Sequence, residues 1–421
     1  MSFDITDMEP NEVSINLKLF QQFRFFHLFN PKTKKFCNFN VYHLALYIIN
    51  CVIGCTIIIG LMSYFTLEDD TLNIADDVQS MFCCLLYIVC LIKMTSITYK
   101  ANIIWKLLHV TSIRFLTSTQ CQKHVGILKK YRQRSIKITN YISVFSIITT
   151  IQWCFFPLAL MLLQKEDANQ SNRRFENIFN FRFPVTTVYY NNNYFIFYFI
   201  EVSIIMILLY THILSDIFFI SLCYVMIAQF KMIKRAYENV NSELNSENNS
   251  ENKNDNNVND CFDDLVSIME DQQKQIAMLK LFHITYKFII LSNVVSYSGS
   301  IIILTYAFAV IFTSSESLPM FSTIRLISSF GNVIVVLLIF CHLLERINNN
   351  MKFVHFGMYS SNWTSMNLRS KKMLLLSMQL NNANELMIKI TPKKIVDPQF
   401  FSSVIITCYN ILSAMLNISS K

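Results

Sequence analysis

Three ionisable side chains, Glu201, His212 and Asp216, interrupt the longest apolar stretch of this 421-residue chain. Charge inside a membrane segment defaults to function, so an acid, an imidazole and a second acid raise metal ligation or proton relay. Counting from Tyr194 at 1.5 Å per residue puts His212 and Asp216 ~27 and ~33 Å along a helix, at the inner edge of a bilayer. That depth suits a structural hydrogen bond or a coupling contact better than metal or proton chemistry. An intramembrane enzyme needs clustered histidines or paired carboxylates on facing helices. His342 and Glu345 are the only other close pair, also at the inner edge. No catalytic constellation is legible, and no cofactor or metal is expected.

Capture of a small apolar molecule is the second chemistry to weigh, and it needs an enclosed apolar site with few polar groups. Trp153 stands beside Phe155, Phe156 and Pro157, with Ser146 and Thr149 on its own helical face. An interfacial belt tryptophan is the competing reading. Val78, Met81 and Phe82 lie near the outer end of the second apolar stretch. Tyr198, Val202 and Ile205 share a face of the fourth, and Ile324, Ile327 and Ser328 occupy the sixth. These assignments are helix-face expectations. In the last stretch Ser403, Thr407, Asn410 and Asn417 fall on one side, with Ile405, Tyr409, Leu412 and Leu416 roughly opposite. Either the polar stripe lines a wet pore, or Leu412 and Leu416 form a constriction that gates by dewetting. A buried helix with ordinary polar contacts is the third possibility.

Seven apolar stretches position all of these residues: 41–66, 75–92, 138–163, 194–227, 288–312, 321–345 and 398–419. They are continuous and not alternating. Backbone groups in lipid must bond within their own segment, so helices are expected over a barrel and the fold class is all-α. A hydrophobic share of 53% and a charged share of 15% agree. The segments 1–40, 93–137, 228–287 and 346–397 hold 30 of the 36 lysines and arginines. Positive loops stay in the cytoplasm, so the amino terminus is expected inside and, after seven crossings, the carboxyl terminus outside. That is the reverse of a G-protein-coupled receptor. The net charge of +8 faces anionic lipid headgroups. Spread over four loops, it gives no support to nucleic-acid binding. Met1-Ser2-Phe3-Asp4 has no basic n-region, so no signal peptide is expected.

None of the twelve cysteines lies in the three outer loops 67–77, 164–193 and 313–320, so no disulfide framework is expected. Residues 15–29 are aromatic-rich but too short to span, and read as an interfacial helix or re-entrant segment ended by Asn30-Pro31. The stretch 93–137 carries ten basic and no acidic residues, and reads as an inner extension of helices two and three. In the sizeable outer loop, Asn169-Gln170-Ser171 is a possible glycosylation sequon, and Phe175, Phe179, Phe181 and Phe183 suggest a loop folded over something apolar. Helical periodicity runs past span four through Gln229, Phe230 and Ile233. Residues 241–260, nine of them asparagine, should be disordered. Amphipathic helix resumes at Phe262, a further inner helix is expected at about 368–380, and Asp397-Pro398 suits a helix start.

Met358-Tyr359-Ser360-Ser361-Asn362-Trp363, then the basic-then-leucine run from Arg369 to Gln379, make the carboxyl-terminal third resemble the insect odorant receptors, whose tyrosine-to-tryptophan stretch after helix six and whose next helix have this pattern. Leu386 to Thr391 resembles the leucine-rich approach to the last span. Phe401 followed by Thr407-Cys408-Tyr409-Asn410 resembles the final-helix signature. Ala228-Gln229-Phe230 below span four also fits. Two departures are Pro392-Lys393-Lys394, where small residues are common, and Ile411, in the place of a second tyrosine.

The resemblance implies an odorant-tuned subunit of a ligand-gated, non-selective cation channel, assembling with the odorant receptor co-receptor as a four-subunit ring around one pore. It implies a volatile hydrophobic ligand, a multi-pass plasma-membrane location in a sensory dendrite, and a pore lined by the last helix. Aligning Tyr409 on the family's tyrosine puts Leu412 and Leu416 at the constriction, with Tyr409 and Ser413 in the pore-lining set. The implied division is an inner amino-terminal segment (1–40), helices one to four as ligand bundle (41–227), an inner anchor (228–287), helices five and six (288–345), an inner helix and loop (346–397) and the pore helix with the outer terminus (398–421). A gustatory receptor subunit is the alternative within the class. A metabotropic seven-helix receptor is opposed by the charge distribution, and a transporter by the lack of internal repeats.

Overall fold

The computed structural model describes residues 12–33, 35–36, 39–66, 74–167, 174–179, 181, 183–240, 256–313, 320–383, 387–389 and 395–419. Helix α1 (Leu17–Gln22) is followed by a 3-10 turn (Phe25–Leu28) and a hairpin of two-residue strands, β1 (Lys35–Phe36) and β2 (Phe39–Asn40). The spanning helices α2 (Val41–Thr66) and α3 (Ile74–Tyr99) come next, then the short helices α4 (Ala101–Leu107) and α5 (Thr119–Gln122). Helices α6 (Val125–Asp167), α8 (Tyr194–Asn239) and α9 (Asn256–Thr313) all outrun a bilayer, with α7 (Thr187–Asn192) leading into α8. Helices α10 (Met320–Tyr359), α11 (Leu368–Ala383) and α12 (Pro398–Ser419) complete the chain. Apart from the small hairpin and two isolated bridges, the described residues are helical or irregular. Six of the helices are long and apolar enough to cross a membrane. At 22 residues and ~33 Å, α12 is long enough to be the seventh.

Helix α8 is the axis of the bundle, packed against α6, α10, α9 and α3. Its lower half is buried on all sides, from Leu214 through Phe230. A helix hydrophobic all round belongs in a core, and here the other helices supply it. Phe219 stacks on Phe340 of α10 with ring centroids 4.6 Å apart and on Phe282 of α9 at 5.5 Å.

In the amino-terminal aromatic segment Phe20, Phe25 and Phe29 surround Phe218 of α8, each with ring centroids 5.6 Å from it. Arg24, at φ 53°, turns the chain between α1 and the 3-10 turn so that both halves face inward. Upstream, Ser14 donates its amide to Thr111 O at 2.8 Å, tying the segment to the loop after α4.

Beyond their apolar spans α8, α9 and α10 continue as helix, with α11 packed on α9 and α10. The fully buried Asp271 of α9 accepts from the backbone amides of Thr117 (3.0 Å) and Ser118 (2.8 Å), ordering the turn before α5. Tyr237 of α8 donates to Gln272 of α9 at 2.7 Å. Asn348 of α10 exchanges two hydrogen bonds with the backbone of Ile388, at 2.9 and 3.4 Å. Of the asparagine-rich segment expected to be disordered, 241–255 lie outside the described residues, while the last five residues open α9 as helix. Asp397 caps α12 as expected, accepting from the amide of Phe400 at 2.9 Å. The sequon at Asn169 falls outside the described residues.

Candidate ligand cavity and its polar floor

A cavity of about 140 Å³ opens between α3, α6, α8 and α10. Helix α6 presents Ile142, Ser146, Thr149, Thr150 and Trp153, spaced three and four apart along one face. Helix α3 presents Phe82, Cys83, Leu86 and Cys90 with the same period; α8 gives Ile205, Leu208 and Leu209, and α10 gives Ser329, Asn332, Val333 and Val336. Phe179, from the loop between α6 and α7, lines the cavity at one end. The walls are mostly apolar, with a few hydroxyl and amide groups, the composition of a small-molecule site.

Trp153 is fixed on every side. Its indole Nε1 donates to Ser329 Oγ at 2.8 Å, Arg325 lies 5.1 Å over its ring, and Phe82 and Phe179 flank it at 6.2 and 6.4 Å. It is 5% exposed and faces the bundle, so it is not a belt tryptophan at the lipid boundary. Ser329 passes the chain on by donating to Arg325 O at 2.9 Å.

The roof is a loop laced from beneath. Glu201, fully buried, accepts the amide of Phe179 at 2.6 Å and so holds this loop over the cavity. Arg174 donates to Phe181 O at 2.8 Å and lies 3.9 Å over the Tyr190 ring. Phe179, Phe181 and Phe183 are buried, as a loop folded over an apolar space requires.

The floor is polar. Lys93 of α3 donates to Asp216 Oδ1 at 2.7 Å and to His212 Nδ1 at 3.1 Å. A lysine ammonium accepts nothing, so His212 accepts at Nδ1 and its hydrogen sits on Nε2. That nitrogen is 3.0 Å from the Tyr297 hydroxyl, which in turn donates to Asp216 Oδ2. Asn293 adds a 3.3 Å bond to Asp216 Oδ1. The result is a closed ring joining α3, α8 and α9, with one positive and one negative charge and a histidine held as a neutral connector. Nothing in it resembles a metal cage or paired carboxylates. Among the described residues no group of three or more ligating side chains could hold a metal.

Of the residues singled out from sequence, Phe82, Ser146, Thr149, Trp153 and Ile205 line the cavity. Met81 and Ile327 do not: at 60% and 55% exposed they point out of the bundle. Ser328 donates to Arg325 O one position short of the lining Ser329. Val202 and Ile324 are half-buried beside the cavity without lining it. Tyr198 has a different task. Pro157 inside α6 lacks an N–H and displaces the ladder around it, and the Tyr198 hydroxyl bonds the Cys154 carbonyl at 2.9 Å, inside that disturbed turn. Val78 falls on the first turns of α3, where no side chain is described. Sequence reasoning missed Lys93, Tyr297 and Asn293. Lys93 had been assigned to the inner loop, yet the apolar run resumes at Met94 and Ile97, a signal that the lysine lies within the helix.

Helix α12 packs on α9 and α10 through Val404 and Cys408. Ser402, Ser403, Thr407, Asn410 and Asn417 are exposed on this subunit, as are Ile406 and Tyr409 at 59% and 69%. Leu412 and Ser413 are half-buried, and the Leu416 side chain is not among those described. So many polar groups on a spanning helix are costly against lipid and need water or another protein surface.

The overall fold is similar to that of solved insect olfactory receptors. The structure of the insect olfactory receptor OR5 from Machilis hrabei matches with a TM-score of 0.73 at 13% identity, covering 95% of this chain and 98% of that one. OR5 in complex with eugenol matches with a TM-score of 0.67, again at 13% identity and with the same coverage. No curated protein matches by sequence. The family described as 7tm Odorant receptor matches residues 73–409, from the start of the cavity-lining α3 into α12. This multi-pass membrane protein belongs to the 7tm Odorant receptor family.

Proposed function

We propose that the chain is the odorant-binding subunit of a ligand-gated, non-selective cation channel, and that a small volatile apolar molecule binds in the cavity beneath Phe179. The carrying observation is the cavity itself: about 140 Å³, roofed, apolar-walled and touched by three helices that continue below the membrane. Its volume is close to the ~150 Å³ of an apolar void that stays dry and takes up benzene. A ring-sized ligand therefore fits with little rearrangement, and a larger one has to move Trp153, Phe82 or Phe179. OR5 of like fold in complex with eugenol supports a small ligand of this class.

The exposed polar face of α12 needs a partner surface, which supports packing against neighbouring subunits around a shared pore. In this reading Leu412 and Leu416, with Tyr409 and Ser413, form the constriction, and the co-receptor supplies the other subunits in the plasma membrane of a sensory dendrite. The 1–40 and 228–287 segments lie inside, and the carboxyl terminus outside. The division into ligand bundle (41–227), helices five and six (288–345), inner helix (346–397) and pore helix (398–421) belongs to the same proposal.

Patch-clamp recording against a volatile panel tests it directly, with the chain expressed alone and with the co-receptor. An odour-evoked, poorly selective cation current only in the pair supports the reading; robust current from the chain alone refutes the partnership. Epitope tags at both ends, stained on intact cells, test orientation, and an exposed amino terminus sinks the channel reading.

A further inference from the structure

Outside the cavity, one cluster of charge is unbalanced. Tyr131 of α6 is buried, and three cations from three helices surround its ring. Lys231 Nζ of α8 lies 5.2 Å from the ring centroid, Arg134 Cζ of α6 5.7 Å and Arg346 Cζ of α10 5.9 Å. Arg346 also donates to the Tyr131 hydroxyl at 3.1 Å. A second ring, Tyr224 of α8, sits 6.3 Å from Tyr131 and extends the aromatic floor. None of the three cations has an ion pair among the described residues, whereas neighbouring Lys234 and Arg235 both reach Glu238, at 3.5 and 3.1 Å. Cation–π contact offsets part of the repulsion between like charges, but a ring has no negative charge to neutralise three.

The cluster's depth identifies what neutralises it. The apolar stretch of α10 begins at 321, and 25 residues of helix put Arg346 ~38 Å below it. The hydrocarbon core is roughly 30 Å thick, so the cations sit at the level of the headgroups on the side where α8 and α9 project. Arginine forks and a lysine converging there fit phosphate oxygens.

We propose that Arg134, Lys231 and Arg346 around Tyr131 form a binding site for the phosphorylated headgroup of an anionic phospholipid in the cytoplasmic leaflet. The site joins α6, α8 and α10 below the cavity, so an occupied headgroup clamps three helices of the ligand bundle together. The choice of leaflet rests on the orientation proposed above, but binding itself does not.

Purified full-length chain in detergent, titrated with dioctanoyl phosphatidylinositol bisphosphate, tests the site whatever the orientation. The phosphoinositide should bind and dioctanoyl phosphatidylcholine should not. Arg346→Gln and Lys231→Gln should each weaken binding roughly fivefold, the size expected per cation at a membrane surface. Arg134→Gln, at an exposed position that cannot disturb packing, should do the same. Arg235→Gln, whose charge is already paired, should leave binding unchanged. Unaltered affinity in the Arg134→Gln and Lys231→Gln variants, or an equal loss in Arg235→Gln, overturns the site. Equal affinity for the chain-free inositol trisphosphate would make it a soluble-phosphate site and overturn the lipid assignment.

Discussion

Lys93 and Asp216 meet at 2.7 Å beneath the cavity, with the lysine side chain wholly buried and the two residues 123 positions apart in the chain. The pair ties α3 to α8 at the level where the apolar pocket ends. A buried ion pair adds little net stability over an apolar pair, but breaking it strands a charge in a dry site.

Lys93→Met should therefore lower stability by about 3–5 kcal/mol, read as loss of monodisperse protein on heating in detergent. Asp216→Leu should do likewise. The double variant Lys93→Met/Asp216→Leu should recover much of the loss, because neither charge is left alone. A double variant no more stable than Lys93→Met would show that packing, not charge, matters at this position.

Trp153→Ala removes a cavity wall together with its bond to Ser329 and its contact with Arg325. Truncating a buried tryptophan typically costs ~3–5 kcal/mol in a packed setting, and a small ligand feels only part of that. Dose–response curves for the best volatile should shift right, while direct activation of the co-receptor is spared. Ser329→Ala, which removes only the acceptor, should give a smaller shift, on the order of 1 kcal/mol. Unchanged potency in Trp153→Ala at normal surface levels would remove the residue from the binding site.

Gly357 of α10 packs closely against Lys234 of α8. A Cβ there would be 2.8 Å from the backbone carbonyl of Lys234, which cannot swing aside as a side-chain tip can. Gly357→Ala should force the two helices apart and reduce surface expression, counted by labelling intact cells. Gly331→Ala, with nothing within 4 Å of the added carbon, is the matched control and should express normally.

The last helix separates two pore readings. Leu412→Ser should wet a closed constriction and raise basal current modestly, since only this subunit's share of the ring changes. The same change at Asn410 should mainly alter assembly. With native Cys408 replaced, a charged thiol reagent added outside should block through cysteine at 412 or 416. Block through 407, 410 or 417 alone would make the polar stripe the pore lining.

Much of the bundle was legible because lipid imposes a simple rule on backbone and side chains. Continuous apolar runs marked the spanning helices, and the run past Gln229 marked the extension of α8 to Asn239. Cavity residues were legible where a helix carries its own internal marker, as in the Ser146, Thr149, Trp153 face of α6. Selection slipped where a helix is apolar all round: Met81 was included with Phe82, and Ser328 stood in for Ser329, each pair differing by ~100° of rotation that only packing settles. Lys93 was hidden for another reason. Its partner lies on a different helix, and a charge at the end of an apolar run reads as a loop until the partner is seen. The amino-terminal aromatic segment was too short to span, yet no periodicity told that Phe218 had room for it.

Helix α8 runs unbroken for 46 residues, from the roof of the cavity to the helical extension beyond its apolar span. A shaft of that kind turns small changes into large ones. From Leu208, in the cavity wall, to Asn239 is ~46 Å of helix, so a tilt of ~3° at the wall sweeps the lower end through ~2 Å. A ligand a single methyl group too large for its chamber has that leverage over the extension, with no other moving part between them.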